Sequence, residues 1–138
     1  MGRRKRTVAY IEDEPAVQRL VEFWLTDAGY AVHLAVWLED AGFDVLLASD
    51  GAAGLDLVRA ERPDLVVTDA LMPVMTGDEL VEALQADPDL RDIPIVMATA
   101  AASPLRVRRM TQLGCRAVIA KPLEEATFLA AIDAAIAD

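Results

Sequence analysis

Short apolar runs alternate with longer stretches of helical spacing along this chain. Thr7-Val8-Ala9-Tyr10-Ile11 is a β-prone run that stops at Glu12-Asp13-Glu14-Pro15. Acids followed by a proline at the first helical position mark a helix start. Val17, Leu20, Val21, Trp24, Leu25 and Ala28 then recur at helical spacing, and Gly29 offers a stop. Phe43 to Ala48 reads as a second strand, closed by the turn Ser49-Asp50-Gly51, and Ala52 to Glu61 as a helix with Leu55 and Val58 on one face. After the break at Arg62-Pro63-Asp64, Leu65 to Thr68 is a third strand. Gly77 to Ala86 is a helix with a stripe of Leu80, Val81 and Leu84, and 87–92 is a polar loop. Ile93 to Ala98 reads as a fourth strand ended by Thr99, with Pro94 near its start, where a strand tolerates it. Ser103-Pro104 opens a helix closed by Gly114, Ala117 to Ala120 is a fifth strand, and 124–138 is an alanine-rich closing helix with Phe128, Leu129, Ile132 and Ile136. Strands alternating with helices imply a doubly wound α/β fold, a parallel sheet with helices on both faces.

One stretch interrupts this regularity. Residues 23–35 repeat with changes as 36–48, an offset of about 13 residues, shorter than solenoid periods. The second copy leads into the second strand. The first copy has three outcomes: an extra strand at Ala31 to Ala35, a loop, or a helix running through Gly29 to end near Gly42. The long helix is favoured because Ala28, Ala31, Ala35 and Leu38 continue a 3–4 spacing. At about 100° per residue, however, a shift of 13 residues rotates the face by about 220°, so one straight helix cannot point both Trp24 and Trp37 at one core. The apolar face left over would favour a homodimer through the duplicated segment.

The bulk numbers narrow the class. A chain of 138 residues is one domain with a core of its own, and no apolar run approaches the length of a membrane span. The single cysteine, Cys115, lacks an internal partner, and neighbouring residues lack metal-ligand spacing, which suits a reducing cytoplasm. A net charge of −10 argues against a nucleic-acid surface, and the basic cluster at 1–6 reads as a solvated tail ahead of a domain over 7–138. His33 has no catalytic partner in the sequence.

The chemistry lies where strands end. Asp69 follows the third strand and is itself followed by Ala70-Leu71-Met72-Pro73-Val74-Met75-Thr76-Gly77. Alone it is either a loop cap or a reactive group. In a parallel α/β sheet, ligand sites form at the carboxyl ends of the strands. That rim would gather Glu12 and Asp13 from the first strand, Asp69 from the third, Thr99 from the fourth and Lys121 from the fifth. Three adjacent carboxylates repel one another, and a hard divalent cation such as magnesium relieves the repulsion. A carboxylate beside magnesium can attack phosphorus to form an aspartyl-phosphate. Lys121 can neutralise a phosphoryl oxygen and the Thr99 hydroxyl can donate to another.

Taken together, Glu12-Asp13, Asp69 with Met72-Pro73 and Gly77, Thr99-Ala100 and Lys121-Pro122 resemble the receiver domain of two-component response regulators over nearly the whole chain. The resemblance implies a flavodoxin-like five-stranded sheet of order 2-1-3-4-5 with the duplication inserted between the first helix and the second strand. It implies that Asp69 is the phosphoacceptor, that Asp13 binds magnesium directly and Glu12 through a water, and that the Leu71 carbonyl is the third protein ligand. Thr99 and Lys121 would contact the phosphoryl group, and the Lys121-Pro122 peptide would be cis. Donors would be a histidine kinase or histidine phosphotransfer protein, and the output a switched surface for a downstream effector protein. Such a chain is no enzyme beyond self-phosphorylation from small donors and autodephosphorylation, and it binds neither nucleic acid nor membrane. In one respect the sequence departs from the family. The aromatic residue that commonly sits three places before the lysine and relays the switch at Thr99 is Val118 here.

Three other readings compete. A degenerate receiver would act as an interaction or dimerisation domain without phosphorylation, but the acid, hydroxyl and lysine set is intact. An aspartate-nucleophile phosphohydrolase would carry an acid two places after the nucleophile, where Leu71 stands. A flavodoxin-like cofactor protein would need a phosphate-cradling loop after the first strand, and Glu12-Asp13-Glu14-Pro15 has the wrong charge.

Overall fold

The computed structural model describes residues 6–12, 36–72, 74–121 and 124–137. Five strands, β1 (Thr7–Ile11), β2 (Asp44–Ala48), β3 (Leu65–Thr68), β4 (Ile95–Thr99) and β5 (Ala117–Ala120), form one parallel sheet of order β2-β1-β3-β4-β5. The described helices are α1 (described over 36–40), α2 (Gly51–Glu61), α3 (Gly77–Ala86), α4 (Pro104–Leu113) and α5 (Glu125–Ile136).

Alternation along the strands sorts the core into two layers. Ala9, Ile11, Val66, Ile95 and Met97 face α2, α3 and α4, where they meet Leu55, Val58, Leu80, Val81, Leu84 and Met110. Val8, Tyr10, Val67, Val96 and Ala98 face the other way, onto Leu38, Phe43, Phe128 and Ile132. The central strands β3 and β4 are buried along their whole length, as parallel strands covered on both faces must be.

The helix boundaries have local causes. Asp50 caps α2 by accepting from the Ala53 amide at 2.8 Å, and Arg62 ends it in a left-handed conformation at φ 46°. Thr76 and Glu79 form a reciprocal capping box on α3. Ser103 caps α4 with Pro104 in its first turn. The end of α1 shows how the second copy of the repeat is used. Gly42 donates to the Glu39 carbonyl at 3.0 Å and Phe43 to the Leu38 carbonyl at 3.1 Å, with Gly42 at φ 98°. That is the left-handed helix stop that glycine permits without strain. It turns Leu38 and Phe43 into one core layer and sets Trp37 against Phe128, their ring centroids 6.1 Å apart.

The second copy therefore supplies a helix end and then β2. The choice among the three outcomes for the first copy, with Trp24 and His33, falls outside the described residues. So do the basic cluster up to residue 5, Asp13, Pro73 and the Lys121-Pro122 peptide. Two strand starts differ from expectation. Phe43 belongs to the helix stop, so β2 begins at Asp44. Ile93 donates back to the Leu90 carbonyl at 3.0 Å, closing the loop, and β4 begins at Ile95. Pro94 still accepts from the Val66 amide at 3.0 Å, the one sheet bond its ring leaves open to it.

Candidate functional site

Register brings the site residues to one level. Ile11 pairs with both Ala48 and Thr68, Thr68 with Met97, and Thr99 with Ala120. The residues that follow β1, β3 and β5 are Glu12, Asp69 and Lys121, and Thr99 is the last of β4. Backbone bonds hold them there. Glu12 donates to the Ala48 carbonyl at 3.0 Å, Asp69 to Ile11 at 3.2 Å and Lys121 to Thr99 at 3.0 Å. All four backbones are thus anchored to a neighbouring strand, Thr99 through its carbonyl, the rigid support a precise site needs.

The Asp69 carboxylate divides its two oxygens. Oδ1 accepts from the amides of Ala70 at 2.5 Å and Leu71 at 3.2 Å, while Oδ2 lies 3.3 Å from Lys121 Nζ. The Thr68 hydroxyl donates to the Asp69 carbonyl at 2.9 Å. Gly77 closes the loop by donating to the Ala70 carbonyl at 2.8 Å. A Cβ on Gly77 would run into the Asp69 carbonyl oxygen, so only glycine lets the start of α3 approach the site this closely.

Lys121 bridges two carboxylates. Its Nζ lies 2.5 Å from Glu12 Oε1 and 3.3 Å from Asp69 Oδ2. Glu12 is 2% exposed, which makes this a buried pair in which each charge depends on the other. Burial pushes the lysine's pKa down, but the charges and hydrogen bonds of Glu12 and then Asp69 outweigh it, and the net shift is upward. The Thr99 side chain is buried at the next strand end, and its hydroxyl accepts from the Ala101 amide at 3.1 Å. Val118 is half-buried against the α2–α4 layer.

Described contacts thus join Glu12, Asp69 and Lys121 and place Thr99 beside them through the backbone, while Asp13 lies outside the described residues. Among the described residues there is no group of three or more metal-ligating side chains. The structure adds residues that the sequence reading did not single out. Arg106 of α4 donates to the Ala101 carbonyl at 2.7 Å and faces Asp78 of α3 at 3.4 Å. The buried Cys115 is no reactive thiol, because burial and then the Asp78 charge push its pKa up to about 12. Among three arginines in Arg106-Val107-Arg108-Arg109, no local signal marks which one turns inward.

A parallel 2-1-3-4-5 sheet whose carboxyl rim carries two acids bridged by a lysine defines a doubly wound α/β domain with a charged strand-end site. Residues 33–133 match the response regulator receiver domain. The chain belongs to that family, whose members serve two-component signalling and interact with histidine kinases and effectors. It is 35% identical over 133 residues to the polar-differentiation response regulator DivK of Brucella anthropi, covering 96% of this chain and 98% of DivK. It is 32% identical over 128 residues to hybrid signal transduction histidine kinase D of Dictyostelium discoideum, covering 93% of this chain but spanning only 7% of the kinase. Among solved structures, chemotaxis response regulator CheY4 of Vibrio cholerae superposes with a TM-score of 0.76 at 26% identity, covering 94% of this chain and 98% of CheY4. The receiver domain of sensor histidine kinase PA1611 from Pseudomonas aeruginosa, which holds magnesium in its active-site cleft, shares the fold with a TM-score of 0.76 at 23% identity, over 96% of this chain and 98% of that one. No described helix is long and apolar enough to cross a membrane.

Proposed function

We propose that this chain, a cytoplasmic receiver domain over 7–138, takes a phosphoryl group onto Asp69 from a histidine kinase or histidine phosphotransfer protein and thereby switches a surface read by an effector. The observation that carries the reading is the single ammonium shared by Glu12 and Asp69. Two carboxylates against one lysine leave the site with net negative charge. An incoming phosphoryl group carries about −1.5 to −2 of its own, so the site becomes more negative even after the new bond consumes the Asp69 carboxylate's charge. The donor set fits magnesium, with hard oxygens from Glu12, Asp13, Asp69 and the Leu71 carbonyl. Bound there, magnesium would supply the charge neutralisation that lets a carboxylate meet a phosphoryl group. The chain's own residues do the rest. An Asp69 oxygen attacks phosphorus as the P–N bond to the donor imidazole breaks, and the imidazole, already protonated on its other ring nitrogen, takes the bonding pair and leaves neutral. Lys121 is placed to pair with a phosphoryl oxygen, and Thr99 can turn its hydroxyl to another.

Leu71, 59% exposed, stands where a phosphohydrolase would carry its general acid, so the reading is a phosphoacceptor and not a turnover catalyst. The test is incubation with a small phosphodonor and magnesium, read by intact-mass spectrometry. Wild type should gain one phosphoryl group, and Asp69→Asn or a chelator should abolish the gain. Unchanged uptake in the Asp69→Asn variant would overturn the assignment.

A further inference from the structure

Thr99 is held from an unexpected direction. Its hydroxyl accepts from the Ala101 amide, and the carbonyl of that same Ala101 accepts from Arg106 Nη1 at 2.7 Å. Arg106 Nε lies 3.4 and 3.5 Å from the two carboxylate oxygens of Asp78 in the first turn of α3. The Arg106 backbone is fixed as well, donating to the Ser103 hydroxyl at 3.1 Å. The arginine thus ties the β4–α4 loop, α4 and α3 together. A second pair joins the same two helices, Arg109 to Glu82 at 3.7 Å, but its side chains are 63% and 51% exposed against 24% and 21% for Arg106 and Asp78. Solvent-exposed pairs contribute little, while a sheltered guanidinium that also holds a carbonyl restrains its surroundings.

We propose that the Arg106–Asp78 pair is a latch on the β4–α4 loop that sets how readily Thr99, with Ala101 following it, moves toward a phosphoryl group, and so carries the state of the site to α3 and α4. This rests on the phosphoacceptor reading of Asp69. The reason is mechanical. A Thr99 hydroxyl that moves to donate to a phosphoryl oxygen stretches its bond from the Ala101 amide. Ala101 can follow only if its carbonyl leaves Arg106. One residue is held at its amide by the site and at its carbonyl by the latch, so the two compete. The latch favours the arrangement seen here, and a phosphoryl group favours its release. Such a route needs no aromatic side chain on β5, where this chain has Val118.

The test is binding of beryllofluoride with magnesium, a mimic of an acyl phosphate, to the full chain, followed by amide and arginine Nε NMR signals. Arg106→Gln keeps a long polar side chain but removes the charge, and it should bind the mimic about fivefold more tightly. Asp78→Asn should act in the same direction. In a Thr99→Ala background the effect of Arg106→Gln should vanish, because the latch acts only through that hydroxyl. Equal effects in both backgrounds, no change in affinity, or weaker binding overturn the latch. A lower thermal midpoint with unaltered affinity would mark Arg106 as a structural ion pair and overturn it too. Ala70 and Leu71 amides report on Asp69 separately. If they respond in wild type while Ala101 and Arg106 Nε stay fixed, the latch alone fails. If they do not respond, the phosphoacceptor reading fails and the latch with it.

Discussion

Two aspartates bracket β3, and they do different work. Asp64 precedes the strand. Its Oδ2 accepts from the Thr7 amide at 2.7 Å, and its own amide donates to the Thr7 carbonyl at 2.8 Å, which pins the start of β1 to the start of β3. Asp69 follows the strand, and one of its oxygens is likewise held by backbone amides. Its other oxygen faces Lys121, which also holds Glu12. Residue type and backbone capping are the same at both ends. What differs is the second oxygen and the polarity of the rim it meets. Capping does not use up a strand-end carboxylate: one Asp69 oxygen is held by the amides, and that hold orients the other toward Lys121.

The comparison is broken most sharply by phosphoryl uptake. Asp69→Asn should lose it completely, whereas Asp64→Asn, at the opposite end of the same strand, should retain it, both read by intact mass. Lys121→Gln comes next. It leaves Glu12 buried without that cation and should cost about 3 kcal/mol in urea unfolding. The pH dependence has a fixed sign. Because the folded pKa of Lys121 is raised, its contribution is fully present below the ordinary lysine value of about 10.4 and is lost as pH rises through the higher folded value. Wild type should lose stability across that alkaline window, and Lys121→Gln should lose less. Gly77→Ala forces a methyl against the Asp69 carbonyl and should cost about 2 kcal/mol in the same assay while also slowing phosphoryl uptake. The smallest effect belongs to the structural aspartate. Asp64→Asn should cost about 1 kcal/mol, through the weakened bond to Thr7.

Much of this contrast was legible in the sequence. The bounds of β1, β3, β5 and α3 follow from β-branched runs and from Pro, Gly and Thr punctuation, because those signals act within a few residues. The meeting of Glu12, Asp69, Thr99 and Lys121 at one rim followed as well, because a parallel sheet sends successive strand ends to the same side. Other features depend on tertiary contacts. Gly29 and Gly42 are equal stop signals in the two repeat copies, and the 3–4 spacing favoured a helix running through the first to the second; the packing of Leu38, Phe43 and Trp37 settles the stop at Gly42, while Gly29 lies outside the described residues. Ile93 looks like a strand residue, yet the preceding loop claims its amide. Asp78 and Arg106 carry no local sequence signal, and only the approach of α3 to α4 turns them toward each other. Val118 was read as a missing relay, and the structure accordingly puts an aliphatic residue against the core there.

The Lys121–Glu12 pair joins residues 109 positions apart. During synthesis Glu12 emerges early and Asp69 midway, and the lysine that bridges them emerges only after β5. A nascent chain therefore lacks the Lys121 ammonium between Glu12 and Asp69 until β5 docks on β4, and that bridge forms last, together with the completed sheet. Truncated or stalled chains that end before Lys121 would display the acids without the ammonium. Completion of the fold and readiness to receive a signal become the same event in time.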